Sequence, residues 1–395
     1  MKRKIFNQEQ YLPGNELTFI RGGEDYFTRL IQLINEARKQ LYFQVYIFDE
    51  DRTGKEVAEA LKHAAQRGVE VFLVVDSFGS KELSPEFIAD LKQSGIHFRL
   101  FSPLPKHFYA FRIGRRLHSK VVVADQAIAL VGGINVADKY RGSAEEEPWL
   151  DFALGITGPV CAGLARISEQ IYKEKYLGKL HPKRGKKLAY QAADGVWSRL
   201  ALNDWFRRKN QIGAAYRAAF RKSQHSIIIV ASYFMPGRGL RSALKRASRR
   251  GVQISILLPG ESDVPMAKRA TRFLYQWLFR HKITVYEWDK SILHGKLAVV
   301  DRNWVTVGSY NLNHLSQFSS IETNLEVLDS TFGATVHDYI SKLLEASSSI
   351  SVDDFQKSRG AFNQMLDWAS YTLGRWTMLF LFFLVLRDHR FKGKE

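Results

Sequence analysis

One polar motif occurs twice in this chain, and the duplication limits the folds that are open to it. Residues 117–137 read LHSKVVVADQAIALVGGINVA, and residues 293–313 read LHGKLAVVDRNWVTVGSYNLN. Aligned without a gap, the two stretches are identical at eight of 21 positions, and the shared polar residues are His, Lys, Asp and Asn. Two copies that keep the same polar residues indicate two similar structural halves.

The segments around the two copies repeat one order of predicted elements. In each half, amphipathic helices alternate with short strands rich in Val, Ile and Phe, which is typical of an α/β sheet with helices on both faces. We therefore expect an α/β fold whose two halves are related by a pseudo-twofold axis. The helices predicted for the second half include residues 203–222 and 264–280.

These patterns divide the chain into four predicted parts. They are a first half at 1–178 with its motif at 118–125, a basic connection at 179–200, a second half at 201–350 with its motif at 294–301, and a helical extension at 351–395 with an apolar segment at 376–386. The extension has no counterpart in the first half.

Each motif places a histidine and a lysine two residues apart on a predicted strand, so both side chains project from one face. The pairs are His118 with Lys120, and His294 with Lys296. Such groups are costly to bury unless an anion meets them. Lysine is not a usual metal ligand and no Cys/His cluster surrounds the pairs, so we predict no metal and no cofactor. A phosphate or phosphodiester, held by the lysines and by the asparagine that follows each motif, fits this pattern.

Two histidines that meet across a pseudo-twofold axis have separate tasks in phosphodiester chemistry. One attacks phosphorus and becomes a phosphohistidine, while the other protonates the leaving oxygen and later deprotonates the incoming hydroxyl. Each ring then needs a carboxylate that fixes its tautomer and stabilises its cation. Asp151 and Glu322 open equivalent predicted strands in the two halves and are the candidates.

The paired HSKVVVAD and HGKLAVVD, followed by GGIN and GSYN, resemble the two HKD motifs of the phospholipase D superfamily. The resemblance covers about residues 15–345 and is closest to bacterial cardiolipin synthases of the type without N-terminal transmembrane helices. It implies an α-β-α sandwich in each half, one active site at the seam between the halves, and ping-pong transfer of a phosphatidyl group.

The resemblance also implies a role for each motif residue. His118 would be the nucleophile and His294 the general acid and base. The residues implied to hold the phosphate are Lys120, Lys296, Asn135, Asn311 and Ser309. Asp125 and Asp301 complete the catalytic motifs, although their position at strand ends leaves a structural role open. The copies differ at Gly133 and Ser309, and at Asp151 and Glu322, so the two histidines need not be tuned alike.

The substrate class needs a separate argument. The net charge of +18 favours a polyanionic partner, either nucleic acid or an anionic membrane surface. Long basic stripes with stacking aromatic residues are not evident, which makes nucleic acid unlikely. Residues 103–118 and 264–282 combine basic and large apolar residues and precede the two motifs. Each segment fits core packing or membrane contact, and together they favour an anionic phospholipid surface as the partner.

The sequence also bears on location. Residues 1–14 contain no apolar stretch of signal-peptide length, and Cys161 is the single cysteine, which suits a reducing compartment. The run WTMLFLFFLVL at 376–386 is too short to cross a bilayer alone. It fits a core helix, a contact in a homo-oligomer or a segment in the membrane interface. We expect a peripheral or monotopic protein at the cytoplasmic face of the cell membrane.

Together these features predict a cardiolipin synthase-like phosphatidyltransferase. It would transfer a phosphatidyl group to a glycerol-type hydroxyl of a phospholipid such as phosphatidylglycerol, through a phosphohistidine. Two alternatives remain at this stage: a phospholipase D-type hydrolase with water as the acceptor, and a phosphodiesterase or nuclease acting on nucleic acid.

Overall fold

The computed structural model describes residues 10–103, 115–173, 195–204, 209–357 and 360–391, with side chains described as far as Trp376. Most of the predicted connection at 179–200 lies outside the described residues, as does most of the basic and apolar segment at 103–118. The apolar run at 376–386 continues a helix, but its side chains beyond Trp376 lie outside the described set.

The first half alternates strands and helices. Its elements are β1 (Leu12–Arg21), α1 (Glu24–Glu36), β2 (Gln40–Val45), α2 (Arg52–Gln66), β3 (Glu70–Asp76), α3 (Pro85–Gln93), β4 (His97–Phe101), β5 (Arg116–Leu117), β6 (Lys120–Ala124), β7 (Ile128–Gly132), α4 (Asp138–Arg141), β8 (Phe152–Thr157) and α5 (Val160–Lys173).

The second half repeats this order and is followed by two further helices. Its elements are β9 (Val196–Asp204), β10 (Lys209–Asn210), α6 (Gln211–Lys222), β11 (Ser226–Ala231), α7 (Arg238–Arg249), β12 (Gln253–Pro259), α8 (Pro265–Phe273), α9 (Tyr275–Arg280), β13 (Thr284–Trp288), β14 (Lys296–Val300), β15 (Trp304–Gly308), α10 (His314–Phe318), β16 (Ser320–Leu328), α11 (Ser330–Glu345) and β17 (Ser348–Ser349). The extension contains α12 (Val352–Lys357) and α13 (Ala361–Phe391).

The two halves build sheets with the same strand order. The first sheet runs β4-β3-β2-β6-β7-β8-β1. The second runs β13-β12-β11-β14-β15-β16-β9. In each sheet three parallel strands, joined by helical crossovers, continue into antiparallel strands. The predicted duplicated α/β fold is therefore confirmed.

Three large clusters of apolar side chains form most of the core. One cluster lies between the first sheet and α1, α2 and α3, and another lies between the second sheet and α6, α7 and α9. The central cluster joins the inner faces of both sheets with α5 and α11, and it includes Val121, Val131, Leu297 and Val307 from the motif hairpins. Because both copies of the motif contribute to one buried cluster, apolar burial fixes the halves against each other.

Some predicted elements differ from the structure. The strands β1 and β9 were not predicted, and β9 occupies residues assigned to the connection and to a helix starting at 203. Its end carries two buried polar residues, Asn203 and Asp204. The Asn203 amide donates to the Ser316 carbonyl and Asp204 pairs with Arg115, and these contacts offset the cost of burial. Buried polar residues hide the apolar alternation from which a strand is recognised.

The predicted helix at 264–280 is broken at Leu274 into α8 and α9. Toward its end the apolar side chains are packed, because Leu278 is buried in the core and Phe273 stacks on Tyr371 of α13 at 4.7 Å between ring centroids. At its start Val264 and Met266 are exposed, so core packing accounts for only part of this segment.

Candidate active site

Short cross-connections between the halves deliver both motif histidines to one place. Strand β5, just before His118, pairs with β16 of the second half, and the His118 N–H donates to the Ile321 carbonyl. In the equivalent position, Leu293 bridges to Leu150 of the first half, and the His294 N–H donates to the Leu150 carbonyl at 2.8 Å. Each histidine is therefore attached by its backbone to the half that does not carry it.

This exchange pairs each histidine with a carboxylate from the other half. Nδ1 of His118 lies 2.9 Å from Oε2 of Glu322, and Nδ1 of His294 lies 2.6 Å from Oδ2 of Asp151. A carboxylate at Nδ1 fixes the tautomer that carries its proton there. Nε2 of each ring has no protein partner among the described residues, so it is the nitrogen available to a substrate.

Both motif lysines are buried beside their histidines. Lys120 Nζ donates to the His118 carbonyl at 2.7 Å, and Lys296 Nζ donates to the His294 carbonyl and lies 3.0 Å from its Nδ1. Burial lowers the pKa of Lys120 to about 7 and also lowers the pKa of Lys296. A phosphate placed between the two ammonium groups would favour their charged forms.

The pKa values of the histidines fall in the same environment. Burial lowers the pKa of His118, although Glu322 opposes the shift. Burial, followed by the charges of Lys296 and Lys120, lowers the pKa of His294 well below its ordinary value. Burial raises the pKa of Asp151 to about 6, against the effect of Lys296. Neutral imidazoles at neutral pH can attack phosphorus or accept a proton.

The surroundings of the two histidines are not equivalent, and sequence differences between the two halves explain the asymmetry. Ser309 donates its hydroxyl to Oε2 of Glu322 at 2.5 Å, so the hydroxyl implied to bind phosphate faces the carboxylate instead. At the matching position, a Cβ on Gly133 would lie 2.3 Å from Oδ1 of Asp151. A serine is therefore excluded there, and Asp151 accepts from its neighbouring Phe152 N–H at 2.7 Å.

The two asparagines implied to hold phosphate differ as well. Asn135 accepts from the Ile47 N–H and donates to the Tyr140 hydroxyl at 2.7 Å, so protein groups engage both ends of its amide. Asn311 accepts from the Ser232 hydroxyl at 2.8 Å, and its Nδ2 has no protein partner within the described part of the chain. Asn311 is thus the better placed of the two to donate to a ligand.

Asp125 and Asp301 do not lie with the histidines, which corrects their inclusion among the catalytic residues. They sit in the hairpin turns at the far ends of β6 and β14. Asp125 accepts from the backbone N–H groups of residues 38–40, and Asp301 accepts from those of residues 224–226, all at 2.8 to 2.9 Å. Each carboxylate holds the segment that enters the central strand of its sheet.

Several aromatic residues that sequence reasoning missed surround the histidines. Tyr46 lies edge-on to His118 at 5.0 Å between ring centroids, and its ring is 5.3 Å from Lys120 Nζ. Tyr140 and Trp149 flank the His294 ring. Tyr46 immediately follows β2, and a position at the end of a central parallel strand is the signal that could have identified it.

A doubled α/β fold with two carboxylate-backed histidines at one seam defines an enzyme of the phospholipase D superfamily. The family model described as "Cardiolipin synthase, PLD-like domain" matches residues 30–147 and 216–344, one match in each half. The chain belongs to this family of phospholipase D-like cardiolipin synthases.

Individual relatives agree with this assignment. Cardiolipin synthase B of Shigella flexneri and that of Escherichia coli (strain K12) are each 32% identical over 335 residues, covering 84% of this chain and 81% of theirs. The crystal structure of phosphatidylserine synthase from Haemophilus influenzae Rd KW20 matches with a TM-score of 0.72 at 14% identity, over 95% of this chain and 96% of that one, which shows a shared fold. The chain is a phospholipid phosphatidyltransferase.

Proposed function

We propose that this enzyme makes cardiolipin by moving a phosphatidyl group from one phospholipid to the glycerol hydroxyl of phosphatidylglycerol. One observation carries the mechanism: two histidines, His294 buried and His118 partly buried, are each hydrogen-bonded through Nδ1 to a carboxylate of the opposite half, with a buried lysine beside each. The identity to the cardiolipin synthases supports the choice of lipid.

In the first half-reaction, Nε2 of His118 attacks the phosphorus of the donor lipid. The anionic phosphate of the bound donor favours the charged form of His294 over the neutral ring of the empty site, so that Nε2 also carries a proton. The bond between phosphorus and the leaving glycerol oxygen breaks, and His294 gives this Nε2 proton to that oxygen. Glu322 stabilises the positive charge that develops on the phosphorylated His118 ring. Lys120, Lys296 and Asn311 hold the non-bridging oxygens of the phosphate.

In the second half-reaction, Nε2 of the neutral His294 removes the proton from the acceptor hydroxyl. The hydroxyl oxygen attacks phosphorus, the P–N bond to His118 breaks, and the product is a new phosphodiester. The low pKa of His294 suits this base role, because the ring is neutral when the acceptor arrives. Asp151 stabilises the imidazolium that forms.

An exposed apolar face on α13 supports a membrane surface as the partner. Phe362 and Trp376 are 68% and 67% exposed, and Met365, Trp368 and Leu373 are exposed between them. Large apolar side chains that are exposed together on a basic protein are typical of interfacial segments. In the described part of the chain, no helix is both long enough and apolar enough to cross a bilayer. We place the enzyme peripherally at the cytoplasmic membrane face through this helix.

The test incubates purified protein with phosphatidylglycerol vesicles and, separately, with single-stranded DNA, and identifies products by mass spectrometry. We expect cardiolipin and free glycerol, with the DNA intact. Phosphatidic acid as the sole lipid product would contradict the transferase and indicate hydrolysis, while DNA cleavage would indicate a nuclease. His63→Ala, which changes an exposed histidine on α2, is the matched control for His118→Ala and His294→Ala.

The assignment of the two histidines needs its own experiment. A water-soluble phosphodiester with a good leaving group does not need a general acid in its first step. The His294→Ala variant should therefore still form a phosphoenzyme and accumulate it, whereas His118→Ala should form none. Phosphoenzyme formation by the His118→Ala variant, with none formed by His294→Ala, would reverse the two roles.

A further inference from the structure

A second basic cavity lies on the far side of the loop that carries Asn311. It has a volume of about 290 Å³ and is lined by Arg217 of α6, Arg238 and Arg241 of α7, and Arg375 of α13. We call it the arginine cavity. Neither the motif histidines and lysines nor their carboxylates line it, and no Asp or Glu is among the residues that do.

Within the described part of the chain, no carboxylate neutralises the four arginines by an ion pair. None of them forms an ion pair with another described residue. By contrast, Arg272 of α8 forms an ion pair with Glu287. Four guanidinium groups around one concave space, without a carboxylate, make a strongly favourable position for an anion.

The backbone leaves room for such an anion. Gly213 and Gly239 both line the cavity. A Cβ at Gly239 would lie 3.2 Å from Cδ of Arg217. A Cβ at Gly213 would lie 2.8 Å from Oδ1 of Asn210, 3.3 Å from the Tyr310 hydroxyl and 3.4 Å from Nη1 of Arg217. The two glycines therefore keep the space on this side of the Arg217 guanidinium open.

We propose that the arginine cavity is a phosphate-ester binding site separate from the catalytic seam. Its volume of about 290 Å³ suits a phosphate with a small polar group. Tyr371 and Arg375 reach the cavity from the helix that exposes Leu373 and Trp376, so a phospholipid headgroup can enter from the membrane side. A free soluble phosphate ester presents the same chemistry and is the other source.

Occupation of the cavity is physically linked to the active site. Tyr310 and Leu312 line the cavity, while the intervening Asn311 accepts from Ser232 on the opposite side of the loop. A bound phosphate thus contacts the loop that presents Asn311. Binding itself does not require catalysis, so it can be measured in a variant that does not turn over.

The test uses the His118→Ala protein, so that vesicle lipids are not consumed. Binding to vesicles containing phosphatidylglycerol is compared for Arg217→Gln/Arg241→Gln and for a control of equal charge, Arg246→Gln/Arg249→Gln, at exposed positions late in α7. Losing two charge-assisted contacts should weaken binding by roughly tenfold or more. The control should stay within about twofold of the parent, because exposed charges contribute little each.

Isothermal titration with inorganic phosphate and with glycerol phosphate distinguishes the two sources. Loss of vesicle binding without measurable titration assigns a lipid headgroup, while titration that the double variant abolishes assigns a soluble phosphate ester. Gly239→Leu, which fills the cavity at unchanged charge, should reproduce the loss in either case. The proposal is overturned if the cavity variants match the control in both assays, whether or not the enzyme makes cardiolipin.

Discussion

Replacing Glu322 by glutamine tests whether a carboxylate from the second half serves the histidine of the first. The side chain is fully buried on β16, where its Oε2 meets Nδ1 of His118 at 2.9 Å and the Ser309 hydroxyl at 2.5 Å. Glutamine keeps the shape and removes the negative charge. We expect the enzyme to fold and to lose most of its rate.

The size of the loss follows from these contacts. A hydrogen bond to a charged group contributes about 1.5–3 kcal/mol, which corresponds to roughly 10- to 150-fold in rate. The glutamine amide can also donate toward Nδ1 and favour the wrong tautomer of His118. The same change of carboxylate to amide in a Ser-His-Asp triad costs about 10⁴-fold. We expect kcat to fall by about 100- to 10⁴-fold.

Glu326 provides a matched control on the same strand. It is also buried, but it binds Arg199 and the Tyr11 hydroxyl rather than a histidine. Glu326→Gln should lower the free energy of unfolding by about 2 kcal/mol and leave kcat nearly unchanged. Chemical denaturation and steady-state turnover measured on both variants separate the two roles. A Glu322→Gln enzyme within threefold of the wild-type kcat would refute the reasoning.

Three further predictions concern the difference between Gly133 and Ser309, the motif aspartates, and the dependence of the rate on pH. Gly133→Ser should reduce kcat by at least tenfold, because its Cβ would meet the Asp151 carboxylate at 2.3 Å; a normal rate in a steady-state assay would contradict this. Asp125→Ala and Asp301→Ala should each lower the free energy of unfolding by about 2–4 kcal/mol in urea titrations and spare kcat per folded molecule; a loss of rate at full stability would restore their catalytic role. Because the pKa of Asp151 is about 6, kcat/KM should fall as the pH drops through 6, since protonation removes the acceptor at Nδ1 of His294. Asp151→Asn should remove this acidic limb, and an unaltered limb would assign it to another group.

Much of the fold was accessible from the sequence because local patterns specify it. Short apolar runs rich in Val, Ile and Phe identified most of the strands, and the repeat predicted that the two sheets would match. The strands β1 and β9 escaped detection because their stability depends on partners distant in sequence: β1 pairs with β8, and β9 pairs with β16. A strand recognised only through its neighbours leaves a weak local signal.

In the candidate site, too, features specified by local sequence were predicted, while features that depend on distant partners were not. The spacing of His118 and Lys120, and its repetition at His294 and Lys296, was enough to predict phosphodiester chemistry. Asp125 matched the family motif in the same way, yet its carboxylate is engaged by backbone N–H groups at the far end of the strand. Spacing records which residues occur together, but it does not record which end of a strand faces the substrate.

The sequence by itself determined that the chain is doubled, that each half carries a histidine and a lysine on one strand face, and that a carboxylate follows in each half. Only the tertiary structure decided that Glu322 serves His118 and Asp151 serves His294. The physical reason is that the exchange depends on contacts between β5 and β16, and between Leu293 and Leu150, which form only when the two sheets bury their common core.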